Sequence, residues 1–312
     1  MRLLAIALAL VGAFAMAFGA QYQNDAVKQD NKPKRGKRSS LSLKQLLVLV
    51  KRPKWLTGVG VLALGATAQF ASLALAPLIV VQPIGALALV ISSILHARSK
   101  GEKLTRGTII AISTCVVGIA GFVTQAAGIA NERTLTDADL LAVLSLLGII
   151  LVVLGFWYVT YGRHRSKAFT YIICAGLLYG FVATFAKVIL DRLIHMDWAH
   201  LDREWLTLLC VVGSLTAGGI GAWFVQNAYA SGPPDLVIAG LTVIDPIVAV
   251  SIAIVVLGEA GQATWPVYLS WIASGGAAVV GVYLLSLVHP DLALKKPNLS
   301  RADLHARLRR PR

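Results

Sequence analysis

Residues 69–90 read QFASLALAPLIVVQPIGALALV, and 157 positions further on residues 226–247 read QNAYASGPPDLVIAGLTVIDPI. The first string has no charged residue, and the second has only Asp235 and Asp245. Both belong to longer apolar runs, and about 20 such residues suffice for a helix to cross the hydrocarbon core of a bilayer. Laid over each other without a gap, the chain pairs Gln69 with Gln226, Ala71 with Ala228, Pro77 with Pro234 and Val80 with Val237. The same offset pairs Gly101 with Gly258, Glu102 with Glu259 and Gly118 with Gly275. Glutamine, proline and glutamate are rare in apolar sequence, so their recurrence in one register marks the two halves as duplicates.

Working outward, the same texture covers the whole chain. The 312 residues are 57% hydrophobic and only 14% charged, well below the roughly 25% charge of soluble domains. Nine runs are long enough to span: Leu3 to Gln23, Trp55 to Leu75, Leu78 to His96, Gly107 to Ile129, Leu140 to Tyr161, Ala168 to Leu190, Trp205 to Tyr229, Leu236 to Gly258 and Trp265 to Val288. The fold class is therefore an all-α integral membrane protein with nine transmembrane helices. Trp55, Trp157, Trp205 and Trp265 stand near span ends, where aromatic belts form.

The net charge of +14 raises a nucleic-acid reading, which the placement of the charges removes. Ten basic residues lie between Lys28 and Lys54, four between Arg98 and Arg106, three between Arg163 and Lys167, and seven between Lys295 and Arg312, together 24 of 29. They occupy every second connection, as the positive-inside rule requires of cytoplasmic segments. The alternate connections are acidic, with Glu132, Asp137 and Asp139, then Asp191, Asp197, Asp202 and Glu204, then Glu259. This places the N-terminus outside and the C-terminus in the cytoplasm, and demands an odd number of spans. A cleaved signal at residues 1–20 is the competing reading of the first span, but cleavage would leave the ten-residue basic segment outside. Within that segment Leu43, Leu46, Leu47 and Val50 form an apolar stripe beside Lys44 and Lys51, a pattern for a helix lying on the leaflet. The run Lys32 to Arg38 is expected to contact anionic lipids.

With these sides assigned, Glu102 is cytoplasmic and its duplicate Glu259 external, so the two copies run oppositely through the membrane. The expected organisation is a first repeat of five helices over residues 1–161, with a basic cytoplasmic segment at 26–54. A second inverted repeat of four helices covers 162–290, and a basic tail covers 291–312. Inverted repeats supply the two related packings that alternating access uses in many secondary transporters.

The string at 69–90, followed by Gly101-Glu-Lys-Leu-Thr105, resembles the third-helix region of the EamA-like drug/metabolite transporters. Within that superfamily it resembles the branch holding the NIPA-type magnesium transporters, and the string 226–247 with Gly258 and Glu259 fits the same pattern. The absence of a tenth helix agrees with a nine-helix branch. The resemblance implies a small-solute transporter of the inner membrane, with magnesium or another divalent cation as the alternative cargo. It also implies an uncharged residue where Asp245 stands.

The candidate pathway residues are few. Asp245, near mid-span, is followed by Pro246, which removes a backbone donor and is expected to open the helix. Intramembrane acids usually face a cavity and bind substrate, cation or proton, although backbone groups freed by Pro246 also provide partners for a buried acid. Lys187 either snorkels to the interface or turns inward toward an anionic group or Asp245. Gln69 and Gln226, matched in the repeat, together with Gln82 and Asn227, either line the path or join helices. Gly12 with Gly19, Gly58 with Gly65, Gly118 with Gly121, Gly176 with Gly180, and Gly218 to Gly221 read as close-packing surfaces.

Other chemistry is weakly supported. His195, Asp197, His200, Asp202 and Glu204 suggest a divalent-metal antechamber, yet their spacing matches no metal motif. Cys115, Cys174 and Cys210 have no pairing or zinc spacing. No span pairs a Ser or Cys nucleophile with an intramembrane histidine, and the acids form no recognisable catalytic set, so an enzyme is not expected, and neither is a cofactor. No Walker loop is present, which leaves an ion gradient or downhill flux as the driving force. The partners expected are the solute or ion, anionic lipids at the basic segments and a second copy of the chain, with no nucleic acid. A flippase for a lipid-linked molecule and a non-transporting assembly protein remain as further readings.

Overall fold

In lipid every backbone N–H and C=O has to be satisfied within the chain, and the apolar runs do this as helices. The computed structural model describes residues 1–30, 53–99, 104–131, 134–162, 168–195, 204–232 and 234–288. They form α1 (Arg2–Asp30), α2 (Pro53–Leu75), α3 (Leu78–Gly85), α4 (Leu87–Ser99), α5 (Arg106–Ile129) and α6 (Asp137–Trp157). After α6 comes a π-helical turn at Tyr158–Gly162, and then α7 (Ala168–His195), α8 (Trp205–Ser231), α9 (Pro234–Val255) and α10 (Trp265–Val288). Among the described residues nine stretches are long and apolar enough to cross a membrane, α3 and α4 together making one of them, Leu78–Ser99. Their ends fall within a few residues of the spans expected from the sequence. The expected surface helix at 43–50, the lipid-contacting run 32–38 and the tail 291–312 lie outside the described residues.

Local chemistry sets several of the ends. Thr105 caps α5 by accepting from the Thr108 amide at 3.2 Å, and Asp139 reaches back to the Thr136 amide at 2.8 Å at the start of α6. The division of the third span follows from Pro83, which has no N–H for the Ile79 carbonyl. The chain tightens there, with Ala86 donating to the Pro83 carbonyl and Leu89 to that of Ala86, both at 3.2 Å.

Glycines bring helices together where side chains would hold them apart. A methyl at Gly19 would lie 2.9 Å from the Gly58 carbonyl oxygen, and one at Gly65 3.0 Å from that of Gly12, so the predicted glycine pairs are the crossing of α1 on α2. Gly118 faces the backbone of Ala278, and Gly281 that of Cys115, joining α5 to α10. Gly176 and Gly180 receive Ile244 and Val248, which seats α9 on α7. Thus α1 is part of the bundle, with Ala5, Ala9, Ala13 and Ala17 buried.

The core is asymmetric. The short helix α3 touches α1, α2, α5, α7 and α9, and Leu78, Ile79, Val80 and Val81 have no solvent-accessible surface. The outer faces are hydrocarbon, as at Val152, Phe156, Leu215 and Ile272, each about 70% exposed, which suits lipid and would be an aggregation surface in water. Trp205 and Trp265 are exposed at span ends, where the aromatic belt was expected.

Polar contacts gather the connections at one end. Arg2 donates to the Ala127 and Ala130 carbonyls at 2.8 and 2.6 Å. The Asn131 amide donates to the Glu259 carbonyl at 2.9 Å, and the Leu135 amide to the Asp191 carboxylate at 3.2 Å. Arg192 pairs with Asp137. The start of α1 therefore meets the α5–α6 connection, and that connection with the start of α6 meets the end of α7 and the α9–α10 connection, as antiparallel spans in this order require.

Candidate transport pathway

A cavity of about 1030 Å³ opens between α1, α2, α3, α4, α7 and α9. Gln69, Gln82, Tyr179, Thr242, Asp245 and Pro246 are among its walls, which are otherwise mainly apolar. Asp245 is the one charged residue among the described residues that line it. Three features place that carboxylate. Gly176 and Gly180 let α9 lie close on α7, Thr242 and Asp245 are successive on one helical face, and Gln82 on α3 extends its amide toward Asp245 Oδ1 at 3.4 Å.

Pro246 acts differently from expectation. Helix α9 is not opened there but runs unbroken from Pro234 to Val255 through Pro246. What the proline removes is one N–H, so the Thr242 carbonyl lacks its usual helical donor one turn back. Thr242 itself stands in the cavity wall near Asp245, and its hydroxyl turns to the Ile238 carbonyl at 2.8 Å. Gln69 also lines the cavity, but its Oε1 is buried close to Gly12 of α1, with no hydrogen-bond partner among the described residues.

The other sequence candidates sit elsewhere. Gln226 faces outward from α8, and the Asn227 amide is used within its own helix on the Trp223 carbonyl at 2.8 Å. Neither lines the cavity. The matched glutamines part company because α2 borders the cavity and α8 lies at its periphery. Lys187 neither snorkels nor meets Asp245. Its buried ammonium donates to the Leu73 carbonyl at 2.8 Å and the Ala76 carbonyl at 3.0 Å, closing the end of α2.

Sequence reading missed the role of one residue. Glu259, taken as an acid of an external connection, is buried with 4% exposure. Its Oε1 accepts from the Leu78 amide at 2.9 Å and its Oε2 from the Ile79 amide at 2.8 Å, so it caps α3. Its repeat partner Glu102 was the available signal, since a duplicated acid at a span end is more than a topology charge. Glu102 itself lies outside the described residues.

Of the suggested metal antechamber only His195 and Glu204 fall among the described residues. His195 bonds the Asp191 carbonyl at 2.8 Å, and Glu204 accepts from the Thr207 hydroxyl at 2.5 Å. Asp197, His200 and Asp202 lie outside the described residues. Among the described residues no three His, Cys, Asp or Glu side chains are grouped to hold a metal.

Comparison with known proteins agrees with this architecture. An uncharacterized protein of Corynebacterium glutamicum is 28% identical over 297 residues, covering 95% of this chain and 96% of its own length. Two Arabidopsis thaliana proteins, each a probable magnesium transporter, NIPA1 and NIPA4, match shorter stretches. The first is 38% identical over 77 residues, 25% of this chain and 23% of its own. The second is 39% identical over 74 residues, 24% of this chain and 22% of its own. No solved structure matches the chain. The profile of the family described as Magnesium transporter NIPA matches residues 4–212, well over half of the sequence, and the chain therefore belongs to that family of multi-pass membrane transporters within the drug/metabolite transporter superfamily.

Proposed function

We propose that this protein carries a divalent cation, magnesium, across the inner membrane by alternating access, with Asp245 as the cation-binding group. The observation that carries this reading is the carboxylate of Asp245, the one charged group lining the cavity among the described residues, with Lys187 occupied by the Leu73 and Ala76 carbonyls. A buried negative charge attracts a positive cargo and rejects an anionic one.

The surrounding groups suit magnesium in particular. This ion holds its waters strongly and is usually bound through one or two carboxylates with several waters retained. Six waters occupy roughly 180 Å³ at about 30 Å³ each, so a cavity of about 1030 Å³ admits the hydrated ion. The Gln82 amide and the Thr242 carbonyl, on residues of the cavity wall beside Asp245, supply neutral oxygens that accept hydrogen bonds from those waters. The two Arabidopsis relatives, each named a probable magnesium transporter, support the same cargo.

The duplicated register supports the mechanism. It aligns α2 with α8, the span of α3 and α4 with α9, and α5 with α10, and the charge pattern assigns the copies opposite senses. On that assignment the end holding Arg2, Asn131 and Glu259 is external, and the cavity reaches Met16, Leu62 and Ser92 toward the cytoplasm. A second reading, an organic cation, is favoured by the mainly apolar walls.

Reconstituted vesicles loaded with a magnesium-sensitive dye separate the two. Wild type should admit magnesium, and Asp245→Asn should lower the rate at least about tenfold. Equal rates in both proteins would make Asp245 structural. A wild type that moves an organic cation but no magnesium would replace the first reading with the second.

A further inference from the structure

The connection between α2 and α3 is two residues long, Ala76 and Pro77, and both are fully or nearly fully buried. A helix end that stops inside a membrane protein leaves carbonyls without donors, and a helix that starts there leaves amides without acceptors. Here each side is held by a charge of the matching sign. Lys187 from α7 takes the carbonyls of Leu73 and Ala76, and Glu259 from the α9–α10 connection takes the amides of Leu78 and Ile79. The two side chains are 9% and 4% exposed. One turn beyond Leu78, the same short helix carries Gln82 to Asp245. The backbone of Glu259 also receives the Asn131 amide, which ties the cap to the end of α5.

From this geometry we infer that Glu259 and Lys187 are positioning residues that latch the end of the cavity under the α9–α10 connection, and that the protein opens to that side only when Glu259 releases the first turn of α3. The inference rests on the transport reading of the cavity. Unlatching frees α3 to move with Gln82, so opening the gate and loosening the Asp245 site are one event. Both latch residues bond the backbone on either side of the α2–α3 joint, and so act on the pathway through α3.

Glutamine at position 259 keeps the size of the side chain but presents one carbonyl oxygen and one NH2 group to two N–H donors, so at least one donor faces another. The test uses the full-length protein in vesicles with Ile189→Cys, a cavity position toward the latched end, and a membrane-impermeant maleimide added from the side of the α9–α10 connection. Buried Cys115, Cys174 and Cys210 serve as the background. Labelling of Cys at 189 should be slow in the otherwise native chain, at least about tenfold faster with Glu259→Gln, and intermediate with Glu259→Asp. An unchanged rate in Glu259→Gln overturns the latch. So does an equal acceleration at Cys210, which would report general loosening. If Glu259→Gln does not assemble, Glu259→Asp decides alone: faster labelling at 189 with Cys210 still protected supports the latch, and any other result overturns it. No transported ion enters this assay, so a failed latch and a failed cargo assignment are read separately.

Discussion

Asp245 was legible because a carboxylate in an apolar run has no quiet place to go. Burial without a partner is so costly that the sequence alone points to a cavity. Lys187 was half legible: its position was unusual, but its acceptors are the carbonyls of Leu73 and Ala76, and backbone acceptors leave no mark in a sequence. Losing that ammonium should matter for folding. Lys187→Met strands two buried carbonyls, and the expected loss is about 2 kcal/mol or more, read as a lowered midpoint in detergent melts, with Lys187→Arg retaining part of it. Pro246 makes the opposite prediction. Because α9 is continuous there, Pro246→Ala should leave the helix intact or steadier while returning an N–H to the Thr242 carbonyl. Magnesium uptake should then show a raised KM with little change in thermal midpoint.

At the level of helices, the hydrophobic pattern reports where a span is but not how it is cut. The third run reads as one segment from residue 78, yet it is α3 and α4, divided because Pro83 and the i to i+3 turn at Ala86 interrupt the ladder. The glycines show the converse, since their spacing marked surfaces correctly without naming the opposite helix. Their consequences are unequal. A methyl at Gly118 would lie 2.4 Å from the Ala278 nitrogen and one at Gly281 2.4 Å from that of Cys115. Gly118→Ala and Gly281→Ala should each destabilise by about 1–3 kcal/mol, because backbone cannot yield as a side chain can. Gly148, with nothing within 4 Å of an added methyl, should accept alanine and gain up to about 1 kcal/mol of helix stability. Thermal melts of the three variants side by side check the contrast.

Over the whole molecule, the alternation of charge predicts sidedness, and the polar knot of Arg2, Asn131 and Glu259 requires the same connections to share one end. A cysteine placed at Gln262, exposed in the α9–α10 connection, should react with an impermeant reagent on intact cells. One at Ser99, exposed at the end of α4, should react only after permeabilisation. Reversal of the two would invert the orientation. Even so, the pairing that joins the halves could not be read from charge or hydropathy, because it links residues far apart through main-chain atoms.

That distance has a consequence for biosynthesis. The carbonyls at the end of α2 wait for a side chain 111 and 114 positions downstream, and the first amides of α3 for one 180 and 181 positions downstream. At about 5–20 residues per second, a nascent chain spends roughly 10–40 s with the Ala76–Pro77 joint inserted and its bonding groups bare. The early helices therefore need shelter at the insertion machinery until the last pair arrives. A chain that stops short of residue 259 should be cleared by membrane proteases even though most of its spans are complete.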